Sequence, residues 1–445
     1  MVSTERSVTS HDRATDATVP FAVVDEVLVP AERFYDAEFF ALERDKLWSS
    51  VWQLAARLED VPQPGDFIEY VITDRSYLIV RQDDGSVKAF ENACRHRATV
   101  LGTGCGTFHG GKMVCPFHGW RFELDGECSF IYSARGFRPD TITPEHTHLV
   151  ECQVATRWGM VFINPDLSAP GFDDFMDCEL ATQLDEIVLD TARVDWWRRI
   201  RIESNWKIAL EAFLEAYHIL TTHPELAPGH VDDEYNADAM SYCVDPERGH
   251  GWINESGVVS ELMSPAENMM VNNRVMLPGV EGWLTQAQFD TMEEFWARVP
   301  DELTEDEFLV QFHAQVYVDG EAIGVPVPPR PSLGHAYVFP NSALISYLGN
   351  TLWYRFLPDA RDPEVCTWEI WCLSQRPVGE PLVRPELQEL AHQRELPPVY
   401  QQDASNMELQ QRGIRSRGFT HDVYAPRYEN MITNMHQLLD AYLGR

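Results

Sequence analysis

Two pairs of metal-binding side chains stand out in the first third of the chain: Cys94 with His96, and Cys115 with His118. Thiolates and imidazoles are protein ligands of zinc and of iron–sulfur clusters. A zinc site with these four ligands is one interpretation, but zinc sites commonly take a Cys–Cys pair followed by a His–His pair, and the order here is different. Two mixed pairs also supply two thiolates to one metal and two imidazoles to another, which is the ligand set of a [2Fe–2S] cluster with two histidine ligands.

The residues around these pairs favour the cluster. Pro116 and Gly119 flank the second pair, and the segment between the pairs is rich in glycine. Such loops wrap a cluster closely and offer backbone N–H groups to its sulfurs. Cys105 and His109 also lie between the pairs. They fall outside the Cys-then-His pattern, so we expect them to be loop residues rather than ligands.

A second group of candidate ligands lies near the middle of the chain. A helix is predicted here, with Glu211, Glu215 and His218 on one face. Pro224 disfavours the helical conformation at His223, so the helix should end or distort there and let the two imidazoles converge. Two histidines and one carboxylate form the facial ligand set of a mononuclear non-haem iron(II) site.

The carboxylate of that set must come from elsewhere in the chain. The candidate is Asp403, near the start of a predicted helix that ends around Gly413. Glu408 and Asp422 compete for the same role, and Asp403 has the alternative role of a helix N-cap.

The pattern of apolar and turn-forming residues predicts an α+β protein in four parts. Residues 1–18 read as a mobile polar tail, and 19–51 as amphipathic helices that pack on the last part of the chain. Residues 52–168 read as a small all-β domain that the run MVFINP closes. Residues 169–445 read as an antiparallel sheet flanked by helices. Its strands are HAYVFP, ALISYL, TLWYRFL and EVCTWEIWCLSQ, its helices are 204–222, 285–297, 402–412 and 428–443, and 225–285 has no clear pattern.

Three segments resemble one protein family. CRHRATVLGTGCGTFHGGKMVCPFHGWRFELDG closely resembles the Rieske [2Fe–2S] motif of ring-hydroxylating oxygenase α subunits. NWKIALEAFLEAYHILTTHPEL resembles the iron-binding helix of that family, and QDASNMELQQRGIRSRGF resembles the segment that carries its third ligand. The resemblance implies an all-β Rieske domain followed by a catalytic domain of the helix-grip type. It implies a cluster bound by Cys94, His96, Cys115 and His118, and an iron(II) bound by His218, His223 and Asp403.

The resemblance also gives a role to the carboxylate three residues before the first iron-binding histidine. In the family this carboxylate connects the iron ligand with a cluster histidine of the neighbouring subunit. Glu215 occupies the position, where aspartate is common, and the resemblance favours His118 over His96 as its partner. The resemblance therefore also implies an assembly, either a ring-like homotrimer (α3) or an α3β3 complex with a small subunit.

The function that the resemblance implies is that of a terminal oxygenase component. It would use O2 and electrons from a ferredoxin, an NAD(P)H-dependent reductase, or both, to hydroxylate or dihydroxylate a small organic substrate. Aromatic compounds, aromatic acids among them, are the expected substrates, and aromatic catabolism the expected setting. A Rieske monooxygenase that acts as an oxidative N- or O-demethylase is the alternative. A non-catalytic Rieske electron carrier is less favoured, because it leaves residues 169–445 without a role.

The composition disfavours other classes of partner. The chain has 35 Lys+Arg and 70 Asp+Glu, so its formal charge is 35 − 70 = −35. This charge opposes binding to nucleic acid and to anionic membranes. The sequence also has no long apolar run of the kind that spans a membrane, and its N-terminal residues lack the apolar segment of a signal peptide. We therefore expect a cytoplasmic protein.

Overall fold

The computed structural model describes residues 19–226, 240–255, 264–300 and 303–444. The predicted tail at 1–18 and parts of the unassigned stretch 225–285 lie outside these residues. Within the described ranges, no helix combines the length and the apolar character that a bilayer crossing requires.

The N-terminal segment lies against the far end of the chain. Strand β1 (Leu28–Pro30) pairs with the last strand of the chain, and helix α1 (Ala37–Leu42) begins at Asp36, whose side chain caps it. The predicted helices are thus present but short. Arg33 donates to Asp440 at 2.6 Å, so this segment is joined to the C-terminal helix by a partly buried ion pair.

An all-β domain follows, as predicted. Short strands pair antiparallel in a seven-stranded sheet of order β2-β11-β10-β5-β4-β3-β6. The last strand in sequence, β11, pairs with the first, β2, and so closes the domain. A separate sheet β7-β8-β9 lies in the loop region between β6 and β10. The strands are β2 (Gln53–Arg57), β3 (Asp66–Ile72), β4 (Arg75–Arg81), β5 (Val87–Glu91), β6 (Cys105–Thr107), β7 (Lys112–Val114), β8 (Arg121–Glu123), β9 (Cys128–Phe130), β10 (Glu151–Arg157) and β11 (Met160–Asn164).

The C-terminal part is built on an eight-stranded sheet, which confirms the predicted α+β class. Its order is β13-β14-β15-β16-β17-β18-β12-β19, antiparallel except for the parallel pair β12–β19. The four predicted strands are all present, and the central ones are buried along their whole length because the sheet is covered on both faces. The strands of this sheet are β12 (Ala192–Ile202), β13 (Met240–Val244), β14 (Gly251–Glu255), β15 (Ser332–Val338), β16 (Ser342–Tyr347), β17 (Asn350–Pro358), β18 (Cys366–Gln375) and β19 (Leu387–Leu390). Strand β20 (His421–Val423) lies outside it and pairs with β1.

Helices flank this sheet. Three of the four predicted helices, those over 285–297, 402–412 and 428–443, are confirmed. Two helices begin with capping boxes, one at Thr285 and one at Thr304. In each box the threonine and the residue three positions later exchange hydrogen bonds. The stretch 225–285 contains two strands and a long helix among its described residues. Helix α2 (Pro144–Thr147) belongs to the all-β domain, between β9 and β10. The helices that follow that domain are α3 (Phe172–Phe175), α4 (Glu179–Glu186), α5 (Trp206–Glu211), α6 (Ile219–Thr222), α7 (Pro265–Gly279), α8 (Gln286–Trp296), α9 (Glu305–Ala322), α10 (Pro398–Gly413) and α11 (Asn430–Leu443).

The predicted helix over 204–222 is wrong in one respect: it is two helices. Asn205 caps α5, but α5 ends at Glu211 and a turn precedes α6. In the turn, the N–H of Phe213 donates to the carbonyl of Leu210, and the N–H of Leu214 donates to the carbonyl of Glu211. These hydrogen bonds span three residues, whereas those of an α-helix span four. Both apolar side chains are buried, Phe213 against the aromatic rings of the sheet. A straight helix would bury only one side of this apolar segment.

Candidate metal centres

The two Cys/His pairs lie on two loops with the same hydrogen-bond pattern. The Cys94 N–H donates to the carbonyl of Thr99, and the Ala98 N–H donates back to the carbonyl of Cys94. In the second loop the Cys115 N–H donates to Trp120, and the Gly119 N–H donates back to Cys115. Ala98 and Gly119 occupy the same place in this pattern and both have left-handed backbones, with φ of 57° and 72°. The sequence therefore builds two matching loops that present their side chains to each other.

The four side chains pair by type. The Nδ1 atoms of His96 and His118 are 3.2 Å apart, and the thiols of Cys94 and Cys115 are within hydrogen-bonding reach of each other. A tetrahedral zinc would draw all four ligand atoms to within about 4 Å of one another. In the described part of the chain, these four side chains do not bring three or more ligand atoms within 4.8 Å of one another. Separate thiol and imidazole pairs fit two metal ions better than one, which favours the cluster over the zinc site.

The thiol end of this arrangement is buried and the imidazole end lies near the surface. Cys94 and Cys115 are almost fully buried, and backbone N–H groups of the following residues point to their sulfurs. His96 and His118 are half-buried, and the indole of Trp120 stacks on the His96 ring at 5.0 Å. The adjacent Phe117 is 57% exposed. An imidazole pair at such a surface is accessible to another protein.

His218, His223 and Asp403 form a compact group, as the sequence predicted. Asp403 Oδ1 lies 2.9 Å from His223 Nε2 and 3.6 Å from His218 Nε2. Ligand atoms that bind one metal at about 2.1 Å and at right angles lie about 3 Å apart. All three ligand atoms are within 4.8 Å of one another, so the residues fit a single metal ion.

Hydrogen bonds at Nδ1 turn both Nε2 atoms toward that point. Glu215 Oε1 lies 2.5 Å from His218 Nδ1, and Gln402 Oε1 lies 2.6 Å from His223 Nδ1. Gln402 is held in turn, because its Nε2 donates to Glu225 at 2.9 Å. A metal-binding histidine commonly donates its second N–H in this way, which fixes the tautomer and the ring. Sequence reasoning missed Gln402, whose one signal is its place next to Asp403.

The electrostatics of the group suit a cation. Burial acts to lower the pKa of His218, but the carboxylates of Glu215 and Asp403 outweigh it and raise this pKa to about 9. Without a metal, the site holds a proton on the imidazole. A divalent cation takes that place by displacing the proton.

The alternatives for the third ligand lie elsewhere. Asp403 is not a helix N-cap, because α10 begins after Pro397 and Asp403 faces inward from its second turn. Glu408 accepts a hydrogen bond from the N–H of Glu203, and Asp422 lies on β20. Of the three candidate carboxylates, Asp403 is the one that joins the two histidines.

Glu211 faces away from this group, contrary to the shared helix face that the spacing predicted. The turn after α5 separates Glu211 from Glu215 and His218. Tyr424 donates to Glu211 Oε2 at 2.9 Å, and His436 Nε2 is 2.9 Å from Oε1. Glu211 is therefore part of a buried contact between α5 and the C-terminal segment.

This burial predicts a pH-dependent stability. Burial, more than the neighbouring Asp422, raises the pKa of Glu211 to about 8. Between about pH 4.5 and pH 8 the unfolded state ionises and the folded state keeps its proton, so this group makes the protein less stable as pH rises. In Glu211→Gln that loss is absent. We expect chemical denaturation to give the parent and Glu211→Gln similar free energies of unfolding at pH 4.5. At pH 8 the variant should be more stable than the parent by about 2–4 kcal/mol. The exposed Glu38→Gln should show no such trend, and an unchanged pH profile in Glu211→Gln would contradict the assignment.

Two family models match the chain. The Rieske [2Fe–2S] domain matches residues 51–136, and the ring-hydroxylating α subunit (catalytic domain) matches residues 189–445. The first match includes both Cys/His loops, and the second includes His218, His223 and Asp403.

Curated relatives match over part of their length. The glycine betaine monooxygenase oxygenase subunit of Pseudomonas aeruginosa (strain UCBPP-PA14) is 32% identical over 200 residues, which is 44% of this chain and 45% of that protein. The large oxygenase component of salicylate 5-hydroxylase from Ralstonia sp. is 28% identical over 276 residues, which is 57% of this chain and 64% of that protein. The matched region thus spans about half the length of the first of these relatives.

Solved structures extend the likeness of fold to nearly the whole chain. A quaternary ammonium Rieske monooxygenase aligns over 95% of this chain and 97% of its own, with a TM-score of 0.63 and 17% identity. Naphthalene 1,2-dioxygenase from Rhodococcus sp. aligns over 95% of each chain, with a TM-score of 0.62 and 18% identity. The chain belongs to the ring-hydroxylating oxygenase α subunits, with a Rieske [2Fe–2S] domain ahead of a catalytic domain of the type that binds mononuclear iron.

Proposed function

We propose that this chain is the terminal oxygenase component of a Rieske oxygenase system. It would use O2 and electrons from an NAD(P)H-linked reductase, a ferredoxin, or both, to hydroxylate or dihydroxylate a small organic substrate. The single observation that carries the proposal is the convergence of His218, His223 and Asp403 in a chain that also has two matching Cys/His loops. The non-catalytic carrier is disfavoured because a carrier has no use for this group or for the catalytic domain around it.

In this proposal, Cys94 and Cys115 bind one iron of the cluster and His96 and His118 the other, while His218, His223 and Asp403 bind the mononuclear iron. When bound, the cluster supplies single electrons and the mononuclear iron supplies open positions for O2 chemistry. Glu215 and Gln402 hold the two imidazoles in the orientation that binding needs. The buried position of His223 and Asp403 keeps bulk water away from the reacting groups.

We further propose that the two centres that exchange electrons belong to different subunits of a trimer, with or without a small β subunit. Among the hydrogen bonds of the described residues, none joins Glu215 to His96 or His118. Glu215 contacts His218 through both carboxylate oxygens, and these contacts support the proposal that Glu215 connects that imidazole to a histidine of a second chain. The half-exposed imidazole pair and the exposed Phe117 provide the surface for such a contact.

The alternative chemistry is monooxygenation, including oxidative N- or O-demethylation. What favours it is that the 32% identical relative is named a glycine betaine monooxygenase. The ligand set is the same in both cases, so the products distinguish them.

The test is incorporation of ¹⁸O from ¹⁸O2 by the metal-loaded chain, supplied with NADH, a reductase and a ferredoxin. Indole, naphthalene, choline and glycine betaine serve as probes. We expect ¹⁸O in at least one product, with one labelled oxygen for a monooxygenase and two for a dioxygenase. A loaded chain that is reduced by its partner but incorporates no ¹⁸O with any probe would support the carrier.

A further inference from the structure

A largely apolar cavity lies beside the metal-binding group. It has a volume of about 220 Å³ and opens on His218, His223 and Asp403. Thioethers and branched side chains provide much of the remaining lining: Met240, Met269, Met276, Val280, Leu309 and Ile345. Ligand sites are usually of this kind, apolar over most of the wall, with a few polar groups that fix the orientation of the ligand. The polar side chains in the lining therefore indicate what the ligand carries.

His335 stands out among these polar side chains. Apart from His218 and His223, it is the one residue in the described lining whose side chain can carry a positive charge, since that lining has no lysine or arginine. The residue is only partly buried. Because it lines the cavity and keeps part of its surface accessible, a ligand in the cavity can contact it.

A β-bulge presents His335 to the cavity. The pairing of β15 with β16 shifts register between Leu333 and Ala336. The two residues in between, Gly334 and His335, therefore lie opposite Ile345 alone. Ile345 lines the cavity, so the bulge directs the imidazole to the same space, and Gly334 has no side chain to occupy it. Bulges are common next to active sites, where the extra residue changes the direction of a side chain.

The charges in the lining make His335 the place for an anionic group. The other two charged side chains, Glu215 and Asp403, contact the metal-binding histidines. When iron(II) is bound, their two negative charges balance its two positive charges. A carboxylate against the apolar part of the wall would lose its hydration without gaining a partner, which is costly. An imidazole donates an N–H to a carboxylate and, when protonated, also supplies the opposite charge.

We propose that the substrate is a small, largely apolar carboxylic acid, and that His335 binds its carboxylate and determines specificity for it. This contact fixes one end of the substrate, and the apolar lining packs against the rest. The inference rests on the proposed function, since it takes the cavity beside His218, His223 and Asp403 as the place of oxidation.

Binding of three ring compounds of similar shape tests the proposal. The metal-loaded chain is titrated anaerobically by calorimetry with benzoate, which is an anion, and with nitrobenzene, its neutral isostere. Benzamide is the third probe, because it is neutral but has a good hydrogen-bond acceptor. We expect benzoate to bind at least about tenfold more tightly than either neutral compound, as one charge-assisted hydrogen bond implies.

Two variants of His335 and one control complete the experiment, with iron(II) supplied in excess. His335→Leu removes the donor and the charge, so the preference for benzoate should disappear. His335→Gln keeps a neutral N–H donor and should retain a smaller preference. Ser332→Ala is the control, because this hydroxyl lies on the same strand and lines the cavity but already donates to the carbonyl of Ser346 at 3.2 Å. Its preference should equal that of the parent.

Four results would overturn the proposal. The first is a preference for benzoate that persists in His335→Leu, as it would if the carboxylate bound the metal instead. The second is benzamide or nitrobenzene binding to the parent as tightly as benzoate, and the third is choline binding more tightly than benzoate. The fourth is no binding of any of the three ring compounds.

These results are distinct from a failure of the proposed function, because binding is measured without O2 or electrons. A chain that binds benzoate through His335 but incorporates no ¹⁸O with benzoate or the other probes refutes the oxygenase and leaves the ligand class standing. A chain that prefers the neutral compounds and oxygenates them keeps the oxygenase and refutes the ligand class.

Discussion

Asp403→Ala is expected to lose the mononuclear iron and to keep the cluster. The carboxylate is the one anionic member of the group, with Oδ1 at 2.9 Å and 3.6 Å from the two Nε2 atoms. Its removal leaves two imidazole ligands and no carboxylate ligand, and this smaller set holds iron(II) weakly. We expect iron to fall from about three to about two atoms per chain at an unchanged sulfide content of about two, and turnover to fall by at least about 1,000-fold.

Glu408→Ala is the matched control for this change. Glu408 lies on the same helix α10 and was a competing ligand candidate, but its carboxylate contacts the N–H of Glu203 instead. The control should keep all of its iron. Full iron content in Asp403→Ala, or loss of iron in Glu408→Ala, would show that the third ligand had been assigned to the wrong residue.

Glu215→Ala is expected to keep both metal centres and to slow electron transfer between them. Glu215 contacts His218 twice, with Oε1 at 2.5 Å from Nδ1 and Oε2 at 3.0 Å from the backbone nitrogen. Without it the His218 ring loses the partner that orients it, which costs about 10–100-fold in metal affinity, so iron(II) is kept in excess. We expect the cluster of the reduced, substrate-bound variant to be oxidised by O2 at least about 100-fold more slowly than that of the parent, as followed by its visible spectrum.

Glu211→Gln provides the comparison, because Glu211 belongs to the same segment but contacts Tyr424 and His436 rather than the metal-binding group. Its cluster should be oxidised at the parent rate. Rapid oxidation of the cluster in Glu215→Ala, with both metals present, would refute the role of Glu215 as the connection.

The candidate ligands were predictable from sequence because their spacing is local. Cys94 and His96, like Cys115 and His118, lie two or three residues apart on Gly/Pro-rich loops, and no distant contact is needed to bring each pair to one place. His218 and His223 were predictable for a related reason, since Pro224 indicates the local break that lets them converge. Asp403 needed the resemblance, because nothing in its own segment separates a ligand from a helix cap.

The rest of the site depends on tertiary packing. The break after Glu211 was not predicted, because the residues that follow are good helix formers and the break arises from burying Phe213 and Leu214 in different directions. Gln402 is a polar residue on a helix, and its role follows only from His223, which lies opposite it. The domain boundaries at 18, 51 and 168 stay predictions, although the seven-stranded sheet that runs from Gln53 to Asn164 agrees with the second and third.

The most direct test of the account is the iron, zinc and acid-labile sulfide content of the anaerobically purified chain. Two centres in one chain predict about three irons and two sulfides, with no zinc, because the cluster takes two irons and the His218–His223–Asp403 group takes one. Two irons and two sulfides, unchanged after addition of iron(II), would contradict the mononuclear site. Zinc without sulfide would contradict both centres.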